Sequence, residues 1–233
     1  MAAGLQTIID KANGLTIDRR KVVGVQITRN EIPRTSLTPT KQPWRFKITV
    51  PNSLKYYDNR DLLEALDTID RYTPQTVTFS NNSCLSWIFR YQGAMTSGQI
   101  NSITVKATGG FIGNQLILEN LPSVSSSTVL FEPNDLIQIG SYTYPFTSTT
   151  QILRGSGSSV TVTTNRPNII SGAVGGANIT VGNGCTFNMF CPNMPTYKLI
   201  PGGYVSGSNS TTLNNALLEF SDDFELYEWV GTA

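Results

Sequence analysis

Apolar and polar residues alternate with a period of two over short stretches along most of the chain. In residues 44–50, Trp44, Phe46, Ile48 and Val50 alternate with Arg45, Lys47 and Thr49, which predicts a strand with one buried face and one basic face. Further strands are expected at 22–27, 76–80, 85–91, 102–107, 115–118, 135–139, 143–153 and 158–164. The closing stretch 214–230 is expected to be paired strand, because so apolar an end would otherwise lie exposed. Turn residues such as Asn81-Asn82-Ser83 and Gly109-Gly110 separate these stretches, a spacing that suits a sandwich or barrel. The pattern changes once to a helical one. Leu62, Leu63, Leu66 and Ile69 form a stripe over residues 59–72, with Asp58 or Asn59 to cap it, Asp61 and Glu64 in its first turn and Pro74 beyond its end. Residues 5–9 read as an opening helical turn or an arm.

Two breaks organise the rest. Residues 31–43 hold Pro33, Pro39 and Pro43, which remove donors and disfavour a helix or central strand, so a long extended loop is expected. Residues 121–128 (LPSVSSST) have linker composition. The expected fold is therefore mainly β: two β-sandwich or barrel modules, residues 1–127 with the amphipathic helix packed on it and residues 128–233 as a small barrel. A final strand returning to the first module would instead make residues of about 128–184 an insertion. Both arrangements fit the pattern.

Composition supports a folded chain: of 233 residues, 39% are hydrophobic and 14% charged, enough for one large core or two small ones. No apolar run of about 18 residues appears and the first residues lack a signal-peptide pattern, so a soluble product that stays where it is made, with no membrane contact, is expected. Three cysteines are too few for a disulfide framework and read as reduced and buried. Charge is uneven. Residues 1–60 hold eleven Lys/Arg against four Asp/Glu, and the remainder six against twelve. Such opposed regions favour oriented docking between copies, and they single out Arg19, Arg20, Arg34 and Lys41 on one side and Asp222, Asp223 and Glu225 on the other as candidate subunit contacts.

Catalytic chemistry finds little to work with. The chain has no histidine, which removes the commonest general base and metal ligand and every Ser-His or Cys-His nucleophile. Cys185 and Cys191, with five residues between them, fall short of a zinc set, and the glycine-rich stretches do not precede a helix as phosphate loops do. Carboxylates at 61 and 64, or at 222–225, read as helix-end and rim charges before they read as a glycosidase pair. The early basic residues lie among Trp44 and Phe46, yet alternation puts those rings on the face opposite Arg45 and Lys47, in a core and not in a nucleic-acid groove. No enzyme, cofactor or metal site is expected.

Residues 131–140 (FEPNDLIQIG), 142–144 (YTY), 152–160 (ILRGSGSSV), 194–202 (MPTYKLIPG) and 218–229 (LEFSDDFELYEW) resemble segments of tail and baseplate structural proteins of tailed bacteriophages, most closely those of contractile-tailed cyanophages. The resemblance covers about the last hundred residues. It implies a virion tail component assembled in the host cytoplasm: a baseplate hub, distal tail or tube-initiator subunit in a ring homo-oligomer, a hexamer, that contacts neighbouring tail proteins and meets DNA only transiently through a channel. In such a ring the 31–43 loop and the N-terminal arm would embrace the next copy. The alternative function is a carbohydrate- or receptor-binding tail protein, in which Trp87, Tyr91, Tyr142 and Tyr144 would stack on sugars.

Overall fold

The computed structural model describes residues 4–19, 23–27, 33–37, 43–52, 54–69, 71, 73–170, 174–201 and 216–230, with backbone alone for 23–27 and 33–37. The fold is mainly β, with several antiparallel sheets and few helices. Among the described residues the sheets are open and none closes into a barrel. The chain divides into two compact units: Met1–Asp18, Trp44–Ile88 and Phe187–Ala233 form one, and Arg19–Pro43 and Phe89–Thr186 the other. The 121–128 stretch lies inside the second unit. Its composition suggests a linker, but backbone bonds tie it down: Gly155 N–H donates to Ser126 and Arg154 N–H to Thr128.

The first unit is built on a five-stranded sheet in the spatial order Gly14–Asp18, Arg45–Thr49, Phe224–Glu228, Thr186–Phe190, Gln75–Thr78. Alternation sends Trp44, Phe46 and Phe187 inward to meet Phe79 from beyond the edge strand. Phe46 stacks edge-on to Phe187 and Phe79 at 5.3 and 5.7 Å, the geometry that aromatic quadrupoles favour. The C-terminal strand completes this sheet by pairing with Arg45–Thr49. The buried Glu228 carboxylate accepts the Trp44 amide at 3.0 Å, while the Glu228 amide donates to the Trp44 carbonyl.

Gly4–Lys11 is a full helix that buries Leu5, Ile8 and Ile9 and packs on the Gln75–Thr78 strand and on the helix Arg60–Thr68. Gly4 is needed for that approach, since a Cβ there would sit 2.5 Å from Ile69 Cγ1. The second helix buries Leu62, Leu63 and Ala65 and is shorter than the 59–72 expected, because Ile69 turns extended. Asn59 precedes it without a side-chain cap, its Nδ2 donating instead to the Lys55 carbonyl.

The strand expected over 85–91 does not form. Residues 83–89 make consecutive turns, organised by the buried Asn82, whose Oδ1 accepts the amides of Cys84 and Leu85 at 2.7 Å and whose Nδ2 donates to the carbonyls of Ile9 and Ala12. A side chain that satisfies four backbone groups replaces the ladder a strand would need. Cys84 is exposed, unlike the other two cysteines.

In the second unit, Gln115–Glu119 pairs with Ser159–Thr163, Thr104–Val105 and Phe111–Ile112, and Leu136–Ile139 lies between Phe146–Thr147 and Ile179–Val181. Leu116, Leu118, Phe131, Ile137 and Phe146 fill its core. Part of the expected 31–43 loop is a strand: Pro33–Leu37 pairs with Val23–Ile27. Proline is tolerated because it takes the first position.

Candidate assembly surface

The first unit carries a continuous outward face and an open edge. Register across the five-stranded sheet lines up Asp18, Arg45, Tyr227 and Phe190 in one transverse row, and Thr16, Lys47 and Glu225 in the next. The Arg45 guanidinium lies 5.2 Å from the Tyr227 ring centre. Phe190 meets Tyr227 at 5.8 Å and the exposed Trp229 at 5.9 Å. A sheet face that pairs cations with aromatic rings in this way resembles the composition of interfaces more than that of a plain solvated surface.

The predicted acidic contacts converge on this face. Lys47 Nζ lies 3.5 Å from Asp222 and 3.6 Å from Asp223. The Asp223 amide also donates to Asp222 at 2.8 Å. That bond first, and Lys47 second, hold the Asp222 carboxyl below its usual range, and the two carboxylates push the Lys47 amine up. Both shifts favour the charged forms, as the ion pair requires. Glu225 stands opposite Lys47 and accepts from the Tyr227 hydroxyl at 3.4 Å.

Of the predicted basic contacts, only Arg19 has a described side chain. Arg19 belongs to the second unit, where its guanidinium reaches Asn134 Oδ1 at 3.4 Å and burial lowers its pKa. Arg34 is the second residue of the Pro33–Leu37 strand, opposite Gln26. Arg20 and Lys41 lie outside the described residues.

Among the described side chains, the most exposed strand is Tyr197–Ile200, which no candidate contact anticipated. All four of its residues are exposed, Tyr197 at 38%, Leu199 at 46% and Ile200 at 38%. It pairs with Leu217–Phe220, which pairs in turn with Leu54–Lys55. Tyr197–Ile200 is thus an edge strand, and among the described residues nothing pairs its outer side. Lys198 forms an ion pair with Glu219 at 2.7 Å on the neighbouring strand. A shallow groove of about 320 Å³ runs beside it, lined by Thr196, Tyr197, Lys198, Glu219, Phe220 and Ser221. The signal was present in the sequence as apolar residues between Pro195 and Pro201, but edge position depends on tertiary pairing.

Of the rings that would stack on sugars, Trp87 is exposed at 68% and Tyr144 is buried. The buried Arg166 guanidinium lies 3.4 Å from the Tyr144 ring centre and donates to the Pro145 carbonyl. The Tyr91 hydroxyl donates to the Leu130 carbonyl, and burial pushes its pKa up to about 12. Among the described residues no three metal-ligating side chains gather, and no helix is long and apolar enough to cross a membrane. Comparison with models of known protein families and with curated proteins finds no match to this chain.

Proposed function

We propose that the chain is a non-catalytic structural subunit of a phage virion tail, a ring component of the baseplate hub or tube end that assembles through contacts between copies. The observation that carries this reading is the Tyr197–Ile200 edge strand, exposed along its length, with Tyr197, Leu199 and Ile200 apolar beside the paired Lys198. Open strand edges in water template pairing with another chain, and proteins that stay single blunt or cover them. An assembling subunit has a use for one. The strand falls within the 194–202 segment that resembles tail proteins, and the outward row of Arg45, Tyr227, Phe190 and Trp229 adds a second surface of interface-like composition.

The carbohydrate-binding alternative needs several open rings on one surface. The burial of Tyr144 beneath Arg166 and the hydrogen-bonded Tyr91 hydroxyl weigh against it. Electron microscopy of the purified chain and antibody labelling of its native particle test the proposal. Rings, or label on the tail, are the expected result; a monomer that binds glycans and labels no tail would overturn it.

A further inference from the structure

The open edge has a geometry that selects its partner, and the inference drawn from it rests on the reading of the chain as an assembling subunit. The Ser221 amide donates to the Thr196 carbonyl at 2.8 Å, so Thr196 and Ser221 form a hydrogen-bonded pair. Antiparallel strands alternate such pairs. Lys198 and Ile200 therefore turn their backbone groups toward Leu217–Phe220, and Tyr197 and Leu199 turn theirs outward. Position 201 also points outward, and as a proline it offers a carbonyl but no amide. The usable edge is bounded: amides at Tyr197 and Leu199, and carbonyls at Tyr197, Leu199 and Pro201.

We propose that this strand docks antiparallel against the same strand of a second copy of the chain, with Leu199 on the two-fold axis. A two-fold normal to the sheet brings residues of like parity opposite one another, which leaves two central registers. Centring on Lys198 sets two ammonium groups face to face, and like charges directly opposite are destabilising. Centring on Leu199 places Leu199 against Leu199, Lys198 against Ile200 and Tyr197 against Pro201.

The second register leaves no like charges opposed. On one face, Lys198 keeps its own Glu219 and gains an apolar neighbour. On the other face, Leu218, Leu199 and their two counterparts form an unbroken row of four leucines. Four backbone bonds result: the two Leu199 amides to the opposing Leu199 carbonyls, and the two Tyr197 amides to the Pro201 carbonyls. Pro201, which cannot donate, sits where the pairing ends. Such an isologous contact closes at two copies, so a ring needs a further, head-to-tail contact on another face.

Cysteine bridging reads the register directly. In a background with Cys84→Ser, Leu199→Cys brings two Cα atoms to about 5.5 Å across the axis, within disulfide reach. Lys198→Cys and Ile200→Cys leave their like pairs about 8 Å apart by strand rise and spacing, beyond it. Cys185 and Cys191 are buried and their thiols are pushed up, Cys191 to about 11, so they stay silent.

Under mild oxidation, Leu199→Cys is expected to shift to a dimer on a non-reducing gel while the two flanking variants remain monomers. Bridging at Lys198→Cys in place of Leu199→Cys overturns the register. A multi-copy parent whose Leu199→Cys variant does not bridge overturns the two-fold pairing and leaves the assembly reading standing. A parent that is monomeric at every concentration, with no bridging, overturns both.

Discussion

Two strands at the edges of sheets in the same unit meet opposite fates. Gln75–Thr78 ends the five-stranded sheet, and the Gly4–Lys11 helix covers it. Gln6 completes the cover with its side-chain amide: Nε2 donates to the Thr78 carbonyl and Oε1 accepts the Thr78 amide, both at 2.8 Å. One glutamine thereby stands in for a neighbouring strand. A third bond runs the other way, from the Leu5 amide to Gln75 Oε1 at 3.0 Å. Tyr197–Ile200 has no such cover among the described residues; three of its four exposed side chains are apolar, and its one charge, Lys198, is paired with Glu219 on the neighbouring strand. Gln6 and its helix close one edge, while among the described residues nothing does the same for the other.

The comparison breaks most visibly if the cover is removed. Ile8→Ala, at a fully buried position of the covering helix, is expected to cost about 2–5 kcal/mol, seen as a fall in the urea midpoint. Gln6→Ala leaves the backbone groups of Thr78 without their mimic and is expected to cost about 1–3 kcal/mol, together with association into larger species than the parent forms at equal concentration. A Gln6→Ala protein as stable as the parent would show that the side chain is not what closes the edge.

The smallest effect belongs to the outer face. Asp222 has a depressed pKa in the folded chain, so its contribution to stability is present above its ordinary value of 3.8 and is lost as pH falls through the lower, folded value. Both Asp222 and Lys47 are solvent-exposed, so the change in urea midpoint is expected to be slight and to vanish in high salt. Lys47→Ala should flatten what remains, and an unchanged pH profile in that variant would assign the depression to the Asp223 amide alone.

Much of the architecture was legible where a period of two coincides with a buried face. Trp44, Phe46 and Ile48 turn inward as their alternation with Arg45 and Lys47 requires, and Leu62 and Leu63 mark the buried side of a helix. The C-terminal stretch is paired strand, as its apolar content demanded. What was not legible depends on single polar side chains that act across the fold. Asn82 makes turns of an apolar stretch, Gln6 serves as an edge strand, and Arg166 lies buried against Tyr144. Each is an ordinary surface residue by composition, and only tertiary position reveals its role. The charge pattern singled out the acidic residues at 222–225 as candidate contacts, but it did not show Lys47 of the same unit already paired with two of them. The edge strand escaped for the same reason, since exposure on both faces is not written in four residues.

The central claim is that the open edge is a contact between chains, and Leu199→Pro tests it most directly. The Leu199 amide points away from Leu217–Phe220, so proline there removes an outward donor without taking a bond from the sheet, as edge strands tolerate. Molar mass by light scattering, measured with circular dichroism on the same samples, is expected to show a multi-copy parent and a folded Leu199→Pro protein of smaller mass. Equal masses for the two, at every concentration tried, would contradict the account.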